Sequence, residues 1–154
     1  MTFTTRTTCR LCSSALLSTV LDLPDQPLAN EFVTEFGTQD HFPLYIVQCG
    51  NCGHVQCPIV VDPRRLFSHN YPYSSGTSPV FREHLRSLAA DLYNAGCRSV
   101  VDIGSNDGTL LGHCRSLGMR AIGVDPAQGL AASASDRGCL TIPAFFTAEV
   151  AREI

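Results

Sequence analysis

Two C-x-x-C pairs are the first residues in this chain whose type and spacing suit chemistry. Cys9-Arg10-Leu11-Cys12 is one pair and Cys49-Gly50-Asn51-Cys52 the other, with Gly53 directly after it. Four thiolates complete the tetrahedral shell of a structural zinc ion, and a glycine within or after such a knuckle lets backbone amides turn toward the sulfurs. The expected metal site is therefore Zn2+ held by Cys9, Cys12, Cys49 and Cys52. The stretch between Cys12 and Cys49 exceeds the ~15–20 residues of a compact ribbon, so an excursion must lie between the knuckles. His54 and Cys57 stand close by, but with four cysteines already paired by spacing both are expected to be structural.

A second centre is residues 99–111, which read S-V-V-D-I-G-S-N-D-G-T-L-L. Val100, Val101 and Ile103 make a short β-branched run, Gly104 and Gly108 interrupt it, and Thr109, Leu110 and Leu111 open an amphipathic stretch to about residue 117. That order predicts strand, glycine turn, helix. Such a turn admits a ligand close to the backbone and aims helix amides at it, which suits a nucleotide-like or carboxylate-bearing cofactor. The dinucleotide pattern G-x-G-x-x-G is not met, because Asn106 takes the second glycine position and Gly108 comes too late, so a nicotinamide-binding fragment is disfavoured. The spacing fits D-x-G-x-x-x-G, in which Asp102 at the strand end accepts from the ammonium of S-adenosylmethionine. Asp125 follows the next predicted strand, 120–124, where a carboxylate holds a ribose through its two hydroxyls. It can equally cap a helix beginning near Ala127 with Pro126 in first position, and the two roles are compatible. The expected cofactor-binding set is Asp102, Gly104, Ser105, Asn106, Gly108 and Asp125.

These residues need elements to position them. Residues 16–23 read as a strand, 24–27 as a turn, 44–48 as the strand that delivers Cys49, and 54–57 as a short returning strand. Residues 62–67 predict one helical turn leading into a Pro/Ser/Gly-rich loop, 69–78, that carries Tyr71 and Tyr73. Each tyrosine offers an apolar face and one hydroxyl, so the pair either fills a seam between domains or covers a ligand. Tyr71 and Tyr73 are the candidate catalytic residues. Ser78 and Pro79 predict a helix start, Phe81, Leu85, Leu88 and Leu92 follow at helical spacing, and Gly96 ends it. Strands at 99–102, 120–124 and 139–143 then alternate with helices to about 117, to about 137 and from about 147 to 154, an order that implies a parallel sheet. The predicted fold class is α/β, a small zinc-binding β module followed by an incomplete Rossmann-like parallel sheet. The expected divisions are a zinc module at 1–60, a loop and linking helix at 61–96, and a partial cofactor domain at 97–154.

Composition limits the function classes. A chain of 154 residues that is 44% hydrophobic can build one core or two small ones. The net charge of −3 without a basic cluster argues against a nucleic-acid partner, so the zinc module is not expected to read DNA. No apolar run reaches the ~20 residues that span a bilayer. The opening M-T-F-T-T-R-T-T also lacks the apolar core of a signal peptide, so a cytoplasmic protein without a membrane partner is expected. In that compartment the 8 cysteines are expected to bind metal or remain thiols, with Cys97, Cys114 and Cys139 simply buried.

The motifs, taken in order, resemble a known family. Cys9-x-x-Cys12, Pro27-Leu28-Ala29-Asn30, Cys49-x-x-Cys52-Gly53-His54-Val55-Gln56 and Tyr71-Pro72-Tyr73-Ser74-Ser75 are followed by Val101-Asp102-Ile103-Gly104-Ser105-Asn106-Asp107-Gly108 and Phe145-Phe146. Together they look like the N-terminal half of the zinc-containing class I methyltransferases that C-methylate nucleotide-linked deoxysugars. The resemblance implies a zinc-binding N-terminal domain, a central Rossmann-like domain for S-adenosylmethionine, and a C-terminal domain that helps hold the sugar nucleotide. It implies proton abstraction beside a ketone and attack of the enolate on the sulfonium methyl, with a base within hydrogen-bond reach of that proton. The family's His/Glu pair and further tyrosine for this step fall past Ile154. Three of the family's seven strands are expected here, the first left as an open edge. Little methyltransferase activity is expected of this polypeptide alone, and a nucleotide-sugar substrate only when the missing part, or a complementing chain, completes the site. The other reading is a non-catalytic zinc-binding interaction module that docks through its sheet edge.

Overall fold

The computed structural model describes residues 3–67 and 71–154. His69 and Asn70, at the start of the expected tyrosine loop, lie outside the described residues. The chain divides into two units, Met1–Leu66 and Phe67–Ile154.

In the first unit β2 (Leu17–Gln26) pairs antiparallel with β3 (Phe42–Cys49), and β4 (Val55–Gln56) returns on the other side of β3. β1 (Phe3–Thr5) and β5 (Ile59–Val61) form a separate antiparallel pair, and α1 (Pro63–Leu66) follows. Val47 and Cys49, two apart on one face of β3, are buried together, as the period of a strand requires. β2 runs on through Pro24 and Asp25, where the sequence predicts a turn. It does so with register breaks between Thr19 and Leu21 and between Leu23 and Gln26, and its edge position makes the missing proline N–H harmless. The excursion between β2 and β3 is strapped down by Arg65. Its Nε and Nη2 donate to Glu31 Oε1 at 3.0 and 2.8 Å and its Nη1 to Asp40 Oδ2 at 2.7 Å, with the guanidinium 5.1 Å from the Phe42 ring centre.

The second unit opens with α2 (Pro79–Asn94), whose N-cap Ser78 accepts the Phe81 N–H at 3.3 Å with Pro79 in the first position, as read from sequence. β6 (Ser99–Ile103), β7 (Arg120–Val124) and β8 (Thr141–Ile142) form a parallel sheet in that order, joined by α3 (Thr109–Ser116) and α4 (Gln128–Asp136). This is the α/β alternation of a partial Rossmann-like fold. α5 (Ala148–Glu153) starts at Thr147, whose hydroxyl accepts the Val150 N–H at 3.3 Å. One face of the sheet is closed by Ala89 of α2, Leu111 and Cys114 of α3 and Ala134 of α4 against Ala121 of β7. On the other face Val101 and Ile103 of β6 are 46% and 59% exposed, and among the described residues β6 has a strand neighbour on one side only. α4 begins two residues after Pro126 because Asp125 Oδ1 accepts the Ala127 N–H at 2.8 Å, holding residues 125–127 in a turn. Asp125 is therefore not the cap of that helix.

Candidate metal centre and cofactor cleft

The two knuckles are built alike. Ser13 N–H donates to Cys9 O at 3.0 Å and Cys9 N–H to Ser14 O at 2.8 Å; Gly53 N–H donates to Cys49 O at 2.9 Å and Cys49 N–H to His54 O at 2.9 Å. Both knuckles turn through positive φ directly after the second cysteine, 61° at Ser13 and 76° at Gly53. Each knuckle buries its first cysteine and exposes its second. Between knuckles, Cys9 Sγ lies 3.6 Å from Cys52 Sγ and Cys12 Sγ 3.6 Å from Cys49 Sγ, and all four sulfurs fall within 4.8 Å of one another. Tetrahedral Zn–S bonds of about 2.3 Å place sulfurs about 3.8 Å apart, so this donor set fits zinc. The eight cysteines are all free thiols, and neither His54 nor Cys57 belongs to the cluster.

Charge within the cluster is uneven. The Asn51 side chain, 3.5 Å from Cys12 Sγ, and the Ser14 backbone lower the Cys12 thiol to about 6. Backbone amides, that of Cys52 foremost, lower Cys49. At Cys52 the His54 amide pulls down, but the crowded Cys12, burial and Cys9 outweigh it and push the thiol up to about 12. Neighbouring thiolates cannot all ionise unaided, and a dication is what stabilises four of them together.

Gln56 was legible only as part of a returning strand. It is buried, its Oε1 accepts the Arg10 N–H at 2.8 Å, and its Nε2 donates to Thr8 O at 3.1 Å, which fastens the first knuckle to β4 beside the second. Gln56→Leu leaves that N–H and C=O unpaired. It is expected to weaken zinc roughly 10- to 100-fold, as losses behind a metal shell do, measured by competition against a chelator.

In the second unit the carboxyl ends of β6 and β7 open on a cleft of about 520 Å³ whose walls include Tyr71, Tyr73, Gly104, Asn106, Asp125 and Phe146. That volume is typical of small-molecule sites. Gly104 has φ +79°, and a Cβ there would meet nothing within 4 Å, so its backbone faces open space. Its N–H donates to Val124 O at 2.8 Å, and Asn106 N–H donates to Asp125 Oδ2 at 2.7 Å, fixing the turn to the tip of β7. The turn lies directly on β7: a Cβ on Gly123 would overlap Ser105 Oγ and come within 2.7 Å of Leu111 Cδ1. Gly123→Ala is therefore expected to cost about 1–3 kcal/mol by overpacking, read from thermal denaturation.

The structure brings most of the predicted cofactor set to this place. Gly104, Asn106 and Asp125 line the cleft with both tyrosines; Ser105 and Gly108 shape the turn behind it, Gly108 N–H donating to Ser105 O at 2.9 Å. Asp102 is not a lining residue. It pairs in register with Gly123, two residues before Asp125, so the two carboxylates share one side of the sheet. Asp102 is half-buried, and its carboxylate has no hydrogen-bond partner among the described residues; burial, and then the Asp125 carboxylate, hold its carboxyl above the usual range. An unpaired acid, a backbone facing open space and a cleft rimmed by aromatic rings together fit a cofactor with a cationic end and a planar base. The side chain of Asn106 is occupied by the tyrosine segment, Nδ2 donating to Tyr73 O at 3.0 Å and Oδ1 accepting the Ser75 N–H at 2.8 Å.

Comparison with known proteins gives two matches. Residues 9–67 match the family described as "Putative zinc binding domain". The chain is 38% identical to C-methyltransferase NovU of Streptomyces niveus over an alignment that covers 95% of this chain and 36% of that protein. This chain thus spans about a third of the length of that relative. The zinc-binding family match and the four-cysteine cluster fall on the same part of the chain. No helix among the described residues is long and apolar enough to cross a membrane.

Proposed function

We propose that the cleft binds S-adenosylmethionine and that this chain supplies the zinc-structured and cofactor-binding parts of a C-methyltransferase acting on a nucleotide-linked keto-deoxysugar. The observation that carries the reading is the unpaired Asp102 carboxylate at the tip of β6, beside a glycine turn that faces open space. Its ionised form is favoured by a neighbouring cation, and the cofactor's ammonium is one. Asp125 spends one lone pair of each oxygen on the Asn106 and Ala127 amides, which leaves one on each for ribose hydroxyls. When bound, S-adenosylmethionine supplies an electrophilic methyl group. The faces of Tyr71, Tyr73, Phe145 and Phe146 give the base and the sulfonium an apolar, cation-tolerant wall. Zinc has all four positions taken by cysteine, which suits a structural and not a catalytic ion, in the reducing cytoplasm. The sugar substrate rests on the order of the motifs, and C-methylation on the C-methyltransferase relative.

Titration calorimetry tests the reading. Zinc-loaded chain is expected to bind S-adenosylhomocysteine at one saturable site and to give no heat with NAD+. Folded, zinc-loaded protein that takes neither ligand, or NAD+ alone, would overturn it.

The open edge of β6, with Val101 and Ile103 exposed, favours a second reading in which a complementing chain completes the sheet. Its expected signature is a complex in which the Ser99–Ile103 amides gain protection from hydrogen exchange. Amides left unprotected in such a complex would exclude that edge.

A further inference from the structure

Residues 73–77 sit on the glycine turn by their backbone. Besides the two bonds from Asn106, Asp107 Oδ2 accepts from Ser74 Oγ at 2.5 Å and from Gly76 N–H at 2.7 Å, while its Oδ1 accepts from Thr109 N–H at 3.1 Å and Thr109 Oγ1 at 2.7 Å. Asp107 is buried, and these bonds outweigh the burial, holding its carboxyl below the usual range. The approach is close enough to dictate a residue: a Cβ on Gly76 would lie 2.6 Å from Asp107 Oδ2 and 2.6 Å from Thr109 Oγ1. From the other side Arg82 Nη1 donates to Gly76 O at 2.9 Å. The segment alternates, with Tyr73 and Ser75 lining the cleft and Ser74 and Gly76 turned toward Asp107.

We propose that Asn106 and Asp107 form a latch that holds the Tyr73 segment as a fixed wall of the cleft, so that seating of this wall and occupation of the cleft are coupled. Asp107 does not line the cleft, so it is a positioning residue that reaches a ligand only through the segment and the turn. Asn106 is the shared part: its backbone belongs to the turn, with φ 52°, and its side chain grips the segment. A ligand that orders the turn therefore pays part of the cost of ordering the segment, and the coupling must run equally in both directions. The inference rests on the reading of the cleft as a cofactor site.

Hydrogen exchange at the Ser75 and Gly76 amides, together with calorimetric affinity for S-adenosylhomocysteine, tests it on the full zinc-loaded chain. In wild type, saturating ligand is expected to raise protection of both amides. Asp107→Asn is expected to speed their exchange and weaken the ligand by roughly 10- to 100-fold, the range for a lost hydrogen bond to a charged group. The Ile122 and Val124 amides should stay protected, which shows the sheet is intact. Should Asp107→Asn not fold, Ser74→Ala and Gly76→Ala disturb the latch from the segment side, and Ser74→Thr, which keeps the hydroxyl, should restore both readouts. Unchanged exchange in Asp107→Asn and Gly76→Ala would overturn the latch. Faster exchange with ligand affinity within about twofold of wild type would overturn the coupling while leaving the cofactor site standing. Ligand-free behaviour alone decides the latch if wild type binds no S-adenosylhomocysteine, an outcome that would instead remove the cofactor reading and with it the coupling.

Discussion

Stripping zinc unfolds residues 3–66 and leaves the parallel sheet of the second unit folded. Four-thiolate sites contribute about 10–16 kcal/mol of metal binding at neutral pH, as much as the whole stability of an ordinary domain, about 5–15 kcal/mol. The first unit has little to set against that loss, because β2 is exposed along nearly its whole length and two of the unit's most buried residues, Cys9 and Cys49, are themselves ligands. The second unit keeps a core of its own around Leu111 and Ala134, with no ligand in it. Exchange mapping before and after chelation should show β2 and β3 lose protection while β6 and β7 keep it. Cys49→Ser should reproduce the chelated state, and Cys57→Ser, outside the cluster, should not. Retained protection across β2 and β3 in metal-free protein would show that the hairpin stands without zinc.

Asp102→Asn makes the ligand-free protein more stable at neutral pH and the cofactor weaker. Asp102 has its folded pKa raised above the ordinary 3.8 by burial and by Asp125. For an acid shifted upward, the native state is unpenalised below the unfolded pKa, and stability is lost as pH rises through the folded pKa. Above the unfolded pKa the raised acid therefore costs the fold stability, and asparagine removes that cost. The same carboxylate is the proposed partner of a cofactor ammonium, so its loss should weaken S-adenosylhomocysteine by roughly 10- to 100-fold, the range for a charge-assisted bond. Cofactor affinity should likewise fall as pH is lowered through the folded pKa of Asp102. Opposite signs in a thermal melt and a binding isotherm identify a residue kept for its ligand at the expense of the fold. An Asp102→Asn chain that is both less stable and unchanged in binding would assign the acid to structure instead.

Both chemical centres were legible because each is written locally. The C-x-x-C pairs, the strand and glycine turn at 99–108, and the Ser78-Pro79 helix start depend on neighbours in sequence, and the structure bears out these elements. What escaped was long-range. β1 and β5 are three residues each, too short to show alternation, and exist because they pair with each other across the first unit. β2 passes through Pro24 since its edge position is a property of the sheet and not of the sequence. Gln56 and Asp107 look like ordinary polar residues until the fold brings Arg10 to one and Ser74 and Gly76 to the other. The one usable signal was the run Ser105-Asn106-Asp107-Gly108, where an asparagine and an aspartate stand in a tight turn and invite hydrogen bonds from a neighbouring segment.

The central claim is that a sulfonium nucleoside sits at the tips of β6 and β7, and amide chemical-shift mapping addresses it most directly. Titrating zinc-loaded, 15N-labelled chain with S-adenosylhomocysteine should move the Gly104, Ser105, Asn106 and Asp125 amides most, with Tyr73 and Phe146 next and the zinc knuckles still. Shifts confined to another surface, or none at saturating ligand in a folded protein, would contradict the account.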